Sequence, residues 1–317
     1  MSYHLEEILL VGTGKMGKEY GKILNHLGYK YGAVTRSEES ALSFFKEIGV
    51  AAQSGGLEKY IETHKNHPPS KAIVTVNVEQ LKQTGNLLID WGVKEILLEK
   101  PGGVNSAEVM ELKTKAEMYP STHLYIGYNR RFYQSVEYLL NRFNQGEKIQ
   151  SIHFNFTELS HVIQDSHFPN SVKDNWLFAN SSHVIDLAFF IAGFPVNMKH
   201  VKMDHLSWHP KGAAFAGCGT TEKNVLFSYH ADWRSPGRWE IEVMTKDNKY
   251  ILMPLEKLFV QKKGSFQTLE VGFSSKIDMD FKAGLYNQTK SFLTDKRKLV
   301  TIEEQIHISR WIAKIAE

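Results

Sequence analysis

The sequence predicts an α/β half followed by an α+β half: a doubly wound parallel sheet, then an open-faced, mostly antiparallel one. Three observations carry this. A glycine-rich turn, Val11-Gly12-Thr13-Gly14-Lys15-Met16-Gly17, directly follows the apolar run Ile8-Leu9-Leu10-Val11. Strand-like and helix-like patterns then alternate through about residue 125, which requires parallel strands with helices over both faces. From about residue 150 the apolar period changes to two, as in a strand with one wet face.

In chain order, the glycine turn leads into a helical pattern with Met16, Tyr20, Ile23, Leu24 and Leu27 on one face, stopped by Gly28. Tyr31–Thr35 reads as a second strand, and Ala41, Leu42, Phe45 and Ile48 mark a helix ended by Gly49. Leu57–His64 is a shorter helix, broken by Pro68-Pro69 before the strand Ala72–Val76. Leu81, Leu88 and Trp91 line a helix before the strand Glu95–Glu99. Asn105 is expected to cap the next helix while Glu108 reaches back, and His123–Ile126 closes the series. Beyond it, Ile152, Phe154 and Phe156 alternate with His153, Asn155 and Thr157. Further strands are expected at Val201–Leu206, Ala213–Thr220, Asn224–Tyr229, Trp239–Met244 and Tyr250–Met253, joined by turns. The resulting division is a doubly wound α/β domain over 1–127 and an α+β domain over 128–317. A C-terminal helix through Ile302, Ile306, Ile308, Trp311, Ile312 and Ile315 is expected to pack back on the first domain.

Composition narrows the function classes. The 317 residues suggest two domains of the usual ~150, and 42% hydrophobic content is enough for two cores. The net charge of +3 comes from scattered basic residues, so nothing points to nucleic acid. Cys218 is the only cysteine, which excludes an intramolecular disulfide and is expected to be a small buried apolar residue. His161, His167 and the other histidines lack a metal-gathering spacing, so no metal is expected. No apolar run reaches the ~18 residues of a membrane span, and the acidic stretch Met1–Glu7 does not suit a signal peptide. The expectation is a cytoplasmic protein.

The glycine turn carries the first piece of chemistry. At the G-x-G-x-x-G spacing, Gly12 allows the tight bend, Gly14 lets the backbone approach a pyrophosphate, and Gly17 lets the helix pack against the strand. Thr13, Lys15 and Met16 complete the turn, with the positive end of the helix dipole at the phosphates. An acid ~20 residues further on would bind a ribose 2′-hydroxyl. Thr35-Arg36-Ser37 stands there instead, which favours a 2′-phosphate and hence NADP(H), with NAD(H) the alternative. Arg36 stacking on adenine, with the ribose read by other groups, is the competing reading. Val76 and Asn77, at the end of the third strand, complete the cofactor set together with Glu99 and Lys100. In open α/β sheets the carboxyl ends of strands line the ligand crevice. Lys100, in Glu99-Lys100-Pro101-Gly102-Gly103, is placed to bind or protonate a substrate oxygen there, although in isolation this run is a solvated turn.

Taken together, Gly12–Gly17, Glu99-Lys100-Pro101, Gly127-Tyr128-Asn129-Arg130-Arg131-Phe132 and Ser182-His183-Val184-Ile185-Asp186 resemble the glucose–fructose oxidoreductase / inositol dehydrogenase / MocA family over essentially the whole chain. The resemblance implies an NAD(P)-dependent oxidoreductase of sugars, inositols or sugar nucleotides, on a Rossmann domain followed by an open antiparallel sheet. It implies that Lys100 and His183 are the catalytic pair and that the Lys100–Pro101 bond is cis. It further implies a homodimer or homotetramer formed through the second sheet, for which Phe227, Tyr229, Trp239 and Tyr250 are candidate outward-facing aromatics. The chain departs from the family's Asp-x-Gly-x-His by having Ala179 in place of the acid, with the non-titrating Asn180 next to it, and Gln80 stands where many members have histidine. Asp186 is placed either to orient His183 or to serve packing. Arg131, Trp176, Asn180, His183 and Arg234 are the expected substrate contacts: the arginines for a carboxylate or phosphate, the indole for a sugar face. Trp233 and Trp239 are either further contacts or sheet core. Two rivals stand beside this reading: a redox-neutral epimerase, lyase or glycosidase that uses the same cofactor transiently, and a non-catalytic nucleotide-binding protein.

Overall fold

The structure, a computed structural model, describes residues 7–274 and 276–317. The chain forms two compact units: Met1–Tyr128 with Leu285–Ile306, and Asn129–Gly284 with His307–Glu317. Residues 285–306 therefore belong with the first unit and not, as the sequence division had it, with the second.

In the first unit β1 (Ile8–Val11), β2 (Gly32–Val34), β3 (Ala52–Gln53), β4 (Lys71–Val74), β5 (Glu95–Glu99) and β6 (His123–Gly127) are parallel, in the order β6-β5-β4-β1-β2-β3. This is the doubly wound Rossmann order, with its switch point between β1 and β4. All four residues of β1 are buried, as are Ala72–Val74 and Ile96–Leu98, which is why these strands read as unbroken apolar runs. The two-residue β3 is too short to carry a period and was not expected. Val300–Thr301 adds an antiparallel edge strand beside β6. Helix Leu285–Leu293 is tied in where Gln288 Nε2 donates to Tyr20 Oη at 2.7 Å. Asn105 caps helix Ser106–Glu117 by accepting from Glu108 N–H at 3.1 Å, but the Glu108 carboxylate reaches back to Val104 N–H at 2.7 Å.

In the second unit β7 (Ile149–Asn155), β8 (Pro195–Met203), β9 (Ala214–Thr221), β10 (Leu226–Asp232), β11 (Glu240–Thr245), β12 (Asn248–Leu252), β13 (Phe259–Lys262) and β14 (Thr268–Glu270) form one sheet. Its order is β14-β13-β12-β11-β7-β10-β9-β8, antiparallel except for the β7–β10 pair. One face is apolar: Ile152, Phe154, Phe227, Tyr229, Ile241 and Val243 are buried, and Phe154 and Phe227 meet Phe189 of helix Ser182–Ala192 edge-on, at 5.5 and 5.3 Å.

Two expectations fall here. Phe227, Tyr229, Trp239 and Tyr250 are all buried, so none of them makes an outward aromatic face. Cys218 is exposed. The cause is the pleat of β9, because Gly217 and Gly219 lie under the rings of Tyr229 and Phe227, where a Cβ would approach to 2.4 and 2.8 Å. Alternation then turns Cys218 to the other face. That face mixes polar groups, among them His153 Nδ1 and Ser228 Oγ hydrogen-bonded at 2.9 Å, with exposed apolar side chains such as Val201 and Leu226.

Candidate functional site

The glycine turn in the first unit has the geometry its spacing requires. Gly12 has φ +98°, and its carbonyl accepts from Thr75 Oγ1 at 2.8 Å, tying the ends of β1 and β4 at the switch point. A Cβ on Gly17 would sit 2.1 Å from the Gly12 carbonyl oxygen, whereas one on Gly14 would meet nothing within 4 Å. Gly17 is thus a packing glycine, and Gly14 faces open space. Helix Lys15–His26 begins there with no side-chain cap and no acid in its first turn, so its leading N–H groups and positive dipole end suit a phosphate. Gly17→Ala is expected to cost about 1–3 kcal/mol by overpacking, read as a lower urea midpoint at unchanged slope.

A cleft of about 670 Å³ opens from this turn. Its walls hold Gly12, Thr13 and Gly14, then Thr35, Arg36 and Ser37, and Val76 and Asn77, so the structure gathers eight of the predicted cofactor residues in one place. Its size is that of a small-molecule site. Gln80 also lines it. Lys15, Met16, Gly17, Glu99 and Lys100 are not on its wall, and Lys15 borders an adjoining depression. Ser37 is already engaged: its Oγ caps helix Glu38–Ile48 by accepting from Ser40 N–H at 3.2 Å and donates to Ser40 Oγ at 2.9 Å. Arg36 is exposed at the rim. The sequence reading missed Glu58, an acid on the same wall that accepts from Gln83 Nε2 at 3.3 Å. Glu58 comes from a helix 22 residues downstream of Arg36, beyond the window in which a ribose-binding acid is sought.

At the end of β5, Glu99 accepts from the buried Tyr20 hydroxyl at 2.9 Å. Burial, then the adjacent Glu99 charge, holds that phenol well above its ordinary value, so Tyr20 stays a neutral donor. The Lys100–Pro101 bond is cis, and the buried Gln305 amide donates to the Pro101 carbonyl at 3.0 Å and to Tyr128 Oη at 3.2 Å. The loop that presents Lys100 is therefore braced from the returning segment 285–306.

The second unit revises the substrate contacts. Arg131 is buried and paired in bidentate fashion with Asp186, Nε to Oδ2 at 2.9 Å and Nη2 to Oδ1 at 2.5 Å. Its guanidinium is committed to this buried pair and is not offered to a substrate carboxylate or phosphate. Arg234 is held at the surface by both oxygens of Asp232, at 2.9 and 2.8 Å, and by Asp204. Trp176 is buried against Phe168 and Trp208, so its face is not offered to a sugar. Trp233 is core, donating to the Phe156 carbonyl at 3.1 Å.

A polar cluster forms instead around Trp239. The guanidinium groups of Arg130 and Arg238 lie 4.7 and 4.9 Å from its ring centroid, and the His183 ring lies 5.9 Å away. His183 is 6% exposed and opens helix Ser182–Ala192, directly after a π-helical turn, Leu177–Ser181. Such turns concentrate at functional sites. Asn180 and Ser181 of that turn donate to Glu158, from Nδ2 at 3.1 and 3.3 Å and from Oγ at 2.7 Å.

Glu158 is 3% exposed, and burial pushes its carboxyl up to about 7 against the hydrogen bonds and Arg238, which favour the ionised form. Its folded-state value lies above its unfolded one. Its contribution to stability is therefore complete below about pH 4.5 and is lost as pH rises through about 7, a change of about 3 kcal/mol. Nothing in the sequence singled it out, since it lies just past a strand and ahead of a polar loop. Among the described residues no three His, Cys, Asp or Glu side chains gather as a metal site, and no helix is long and apolar enough to cross a membrane.

No family model matches the sequence, and no curated protein matches it. Solved structures do match, over nearly the full length. A dehydrogenase (MviM) from Clostridium difficile is 17% identical, with 97% of each chain covered and a TM-score of 0.75. Levoglucosan dehydrogenase, in complex with NADH and levoglucosan, is 13% identical, covering 97% of this chain and 95% of its own, with a TM-score of 0.74. UDP-N-acetylglucosamine 3-dehydrogenase GnnA from Acidithiobacillus ferrooxidans is 13% identical with the same coverage and a TM-score of 0.71. The chain has the fold of these dehydrogenases.

Proposed function

We propose that this chain is an NAD(P)-dependent oxidoreductase that transfers a hydride between nicotinamide and a carbohydrate or carbohydrate derivative, with a sugar nucleotide or surface-polysaccharide precursor as the first-choice substrate. The observation that carries this is the uncapped, acid-free start of helix Lys15–His26, opening behind Gly12–Gly14 into a cleft of dinucleotide size. When bound, the dinucleotide supplies the carbon that gives or accepts the hydride. Lys100 holds and polarises the substrate oxygen, and His183 takes up or returns its proton. Arg130 and Arg238 replace Arg131 and Arg234 as the guanidinium groups suited to an anionic group on the substrate, because neither is committed to a carboxylate in the way those two are.

NADP(H) is the favoured cofactor, through Arg36. NAD(H) is the second reading, supported by Glu58 on the same wall, an acid suited to a ribose hydroxyl. Arg36→Ala is expected to weaken NADP(H) by one to two decades, about 1.5–3 kcal/mol, and NAD(H) much less. Calorimetry that gives equal losses for both sides with the NAD(H) reading. Stoichiometric cofactor reduction with a sugar panel tests the activity itself. Turnover without net reduction favours the redox-neutral rival, and cofactor binding with no turnover favours a non-catalytic protein. We also propose a cytoplasmic homodimer or homotetramer joined through the outward face of the second sheet, with neither nucleic acid nor membrane as partner.

A further inference from the structure

We propose that Arg130, supported by Arg238, is the specificity-determining group of the second unit and pairs with an oxyanion carried by the substrate, so that the sugar turned over is an acid or a phosphate ester and not a neutral one. This rests on the carbohydrate reading above and narrows it. Arg130 and Arg131 share one 3₁₀ turn, Asn129–Phe132, and the fold treats them differently. The guanidinium of Arg131 is answered by both oxygens of Asp186. That of Arg130 keeps only partial contact with solvent, and burial lowers it from its ordinary value, yet among the described residues no carboxylate pairs with it.

The carboxylates that face Arg130 are engaged elsewhere. Glu256 accepts from the Tyr133 hydroxyl at 3.2 Å, and Glu158 accepts from Asn180 and Ser181. What Arg130 does meet is the Trp239 ring, 4.7 Å from its guanidinium to the centroid, and that ring is shared with Arg238 at 4.9 Å. A cation–π contact returns less than the burial of a guanidinium costs, and the second cation adds repulsion. A positive charge left short of a partner in this way is answered by an anion from outside, and the planar fork suits two oxygens of a carboxylate or a phosphate. The seat is fixed in advance. Asn129 Nδ2 donates to the Ala283 carbonyl at 2.8 Å on one side of Arg130 in the chain, and the Arg131–Asp186 pair holds the other. The His183 ring lies 5.9 Å from the same indole, which places the anion site beside the candidate proton-exchanging group.

The test is calorimetry on the full-length protein, with NADPH added to fill the dinucleotide cleft and D-glucuronate, uridine diphosphate and D-glucose as probes. At least one of the two anions is expected to bind about tenfold or more tightly than glucose. Glucuronate as the binder assigns a carboxylate on the sugar, and uridine diphosphate assigns the diphosphate of a sugar nucleotide. Arg130→Met is expected to lower that affinity about ten- to a hundredfold, and Arg238→Met, at a more exposed position, about threefold or more. Urea unfolding supplies a readout that needs no ligand. Deleting a charge that lacks a partner in the fold is expected to raise the midpoint in Arg130→Met, whereas deleting a structural charge lowers it. Glucose bound as tightly as both anions, anion affinity unchanged in Arg130→Met, or a lowered midpoint in that variant overturns the proposal. If acidic sugars bind through Arg130 but none exchanges a hydride with the cofactor, the oxidoreductase reading fails and the anion site stands. If neutral sugars are turned over as well as acidic ones, the anion site fails and the oxidoreductase reading stands.

Discussion

Lys100→Met is expected to lower turnover by about two or more decades while cofactor affinity stays nearly unchanged, and His183→Asn is expected to do the same. The loss corresponds to about 3 kcal/mol of transition-state stabilisation for each group. Methionine keeps most of the lysine's length and deletes its ammonium, and asparagine keeps polarity and deletes the titrating ring. Neither residue lines the cleft that opens from Gly12–Gly14, so binding of the adenosine and pyrophosphate portions has no reason to change. The bracing of the Lys100 loop by Gln305 on Pro101 O does not depend on the ammonium, and the helix that carries His183 stays anchored through the Arg131–Asp186 pair when the ring is deleted. Steady-state rates on a verified substrate, with calorimetry of the cofactor, check both halves of this expectation. Intact turnover in both variants shows that these are not the acting groups.

Arg131→Met is expected to destabilise the second unit by about 3–5 kcal/mol, because it strips the bidentate partner from the buried carboxylate of Asp186. Removing both charges together, as Arg131→Met with Asp186→Leu, is expected to restore most of that loss, since desolvation offsets much of what a buried pair gains. Urea unfolding of the single and double variants measures the coupling. A loss below about 1 kcal/mol in the single variant shows that the pair contributes no more than a surface ion pair. Asp186 lies on the same helix as His183, Ser182–Ala192, so the same pair anchors the element presenting the candidate proton-exchanging group. A destabilised Arg131→Met with normal kinetics at low temperature separates this structural role from substrate binding.

Much of the first unit was legible because its signals are local. The apolar run of β1, the three glycines and the following helical period lie within one stretch of chain, and the backbone conformations they require belong to those residues alone. The cleft residues at 35–37 and 76–77 were found by the same logic, since each follows a recognisable strand. Tertiary structure decided the rest. Arg130 and Arg131 are adjacent in a 3₁₀ turn, Asn129–Phe132, whose side chains fan out by about 120° per residue. One therefore meets Asp186 and the other Trp239, a choice that depends on the fold around them. Cys218 faces outward because rings on β10 fill the space beside Gly217 and Gly219. The returning segment 285–306 joins the first unit by pairing a two-residue strand with β6, too short to show a period. Glu158 became a candidate only once burial and the donors of residues 180 and 181 surrounded it. Backbone form follows from neighbours along the chain, and so the sequence determined the glycine turn and the succession of strands and helices that follows it. The environment of a side chain is set by residues distant in sequence, and so only the folded chain decided which arginine is paired, which carboxylate is buried and which face of the sheet meets the core.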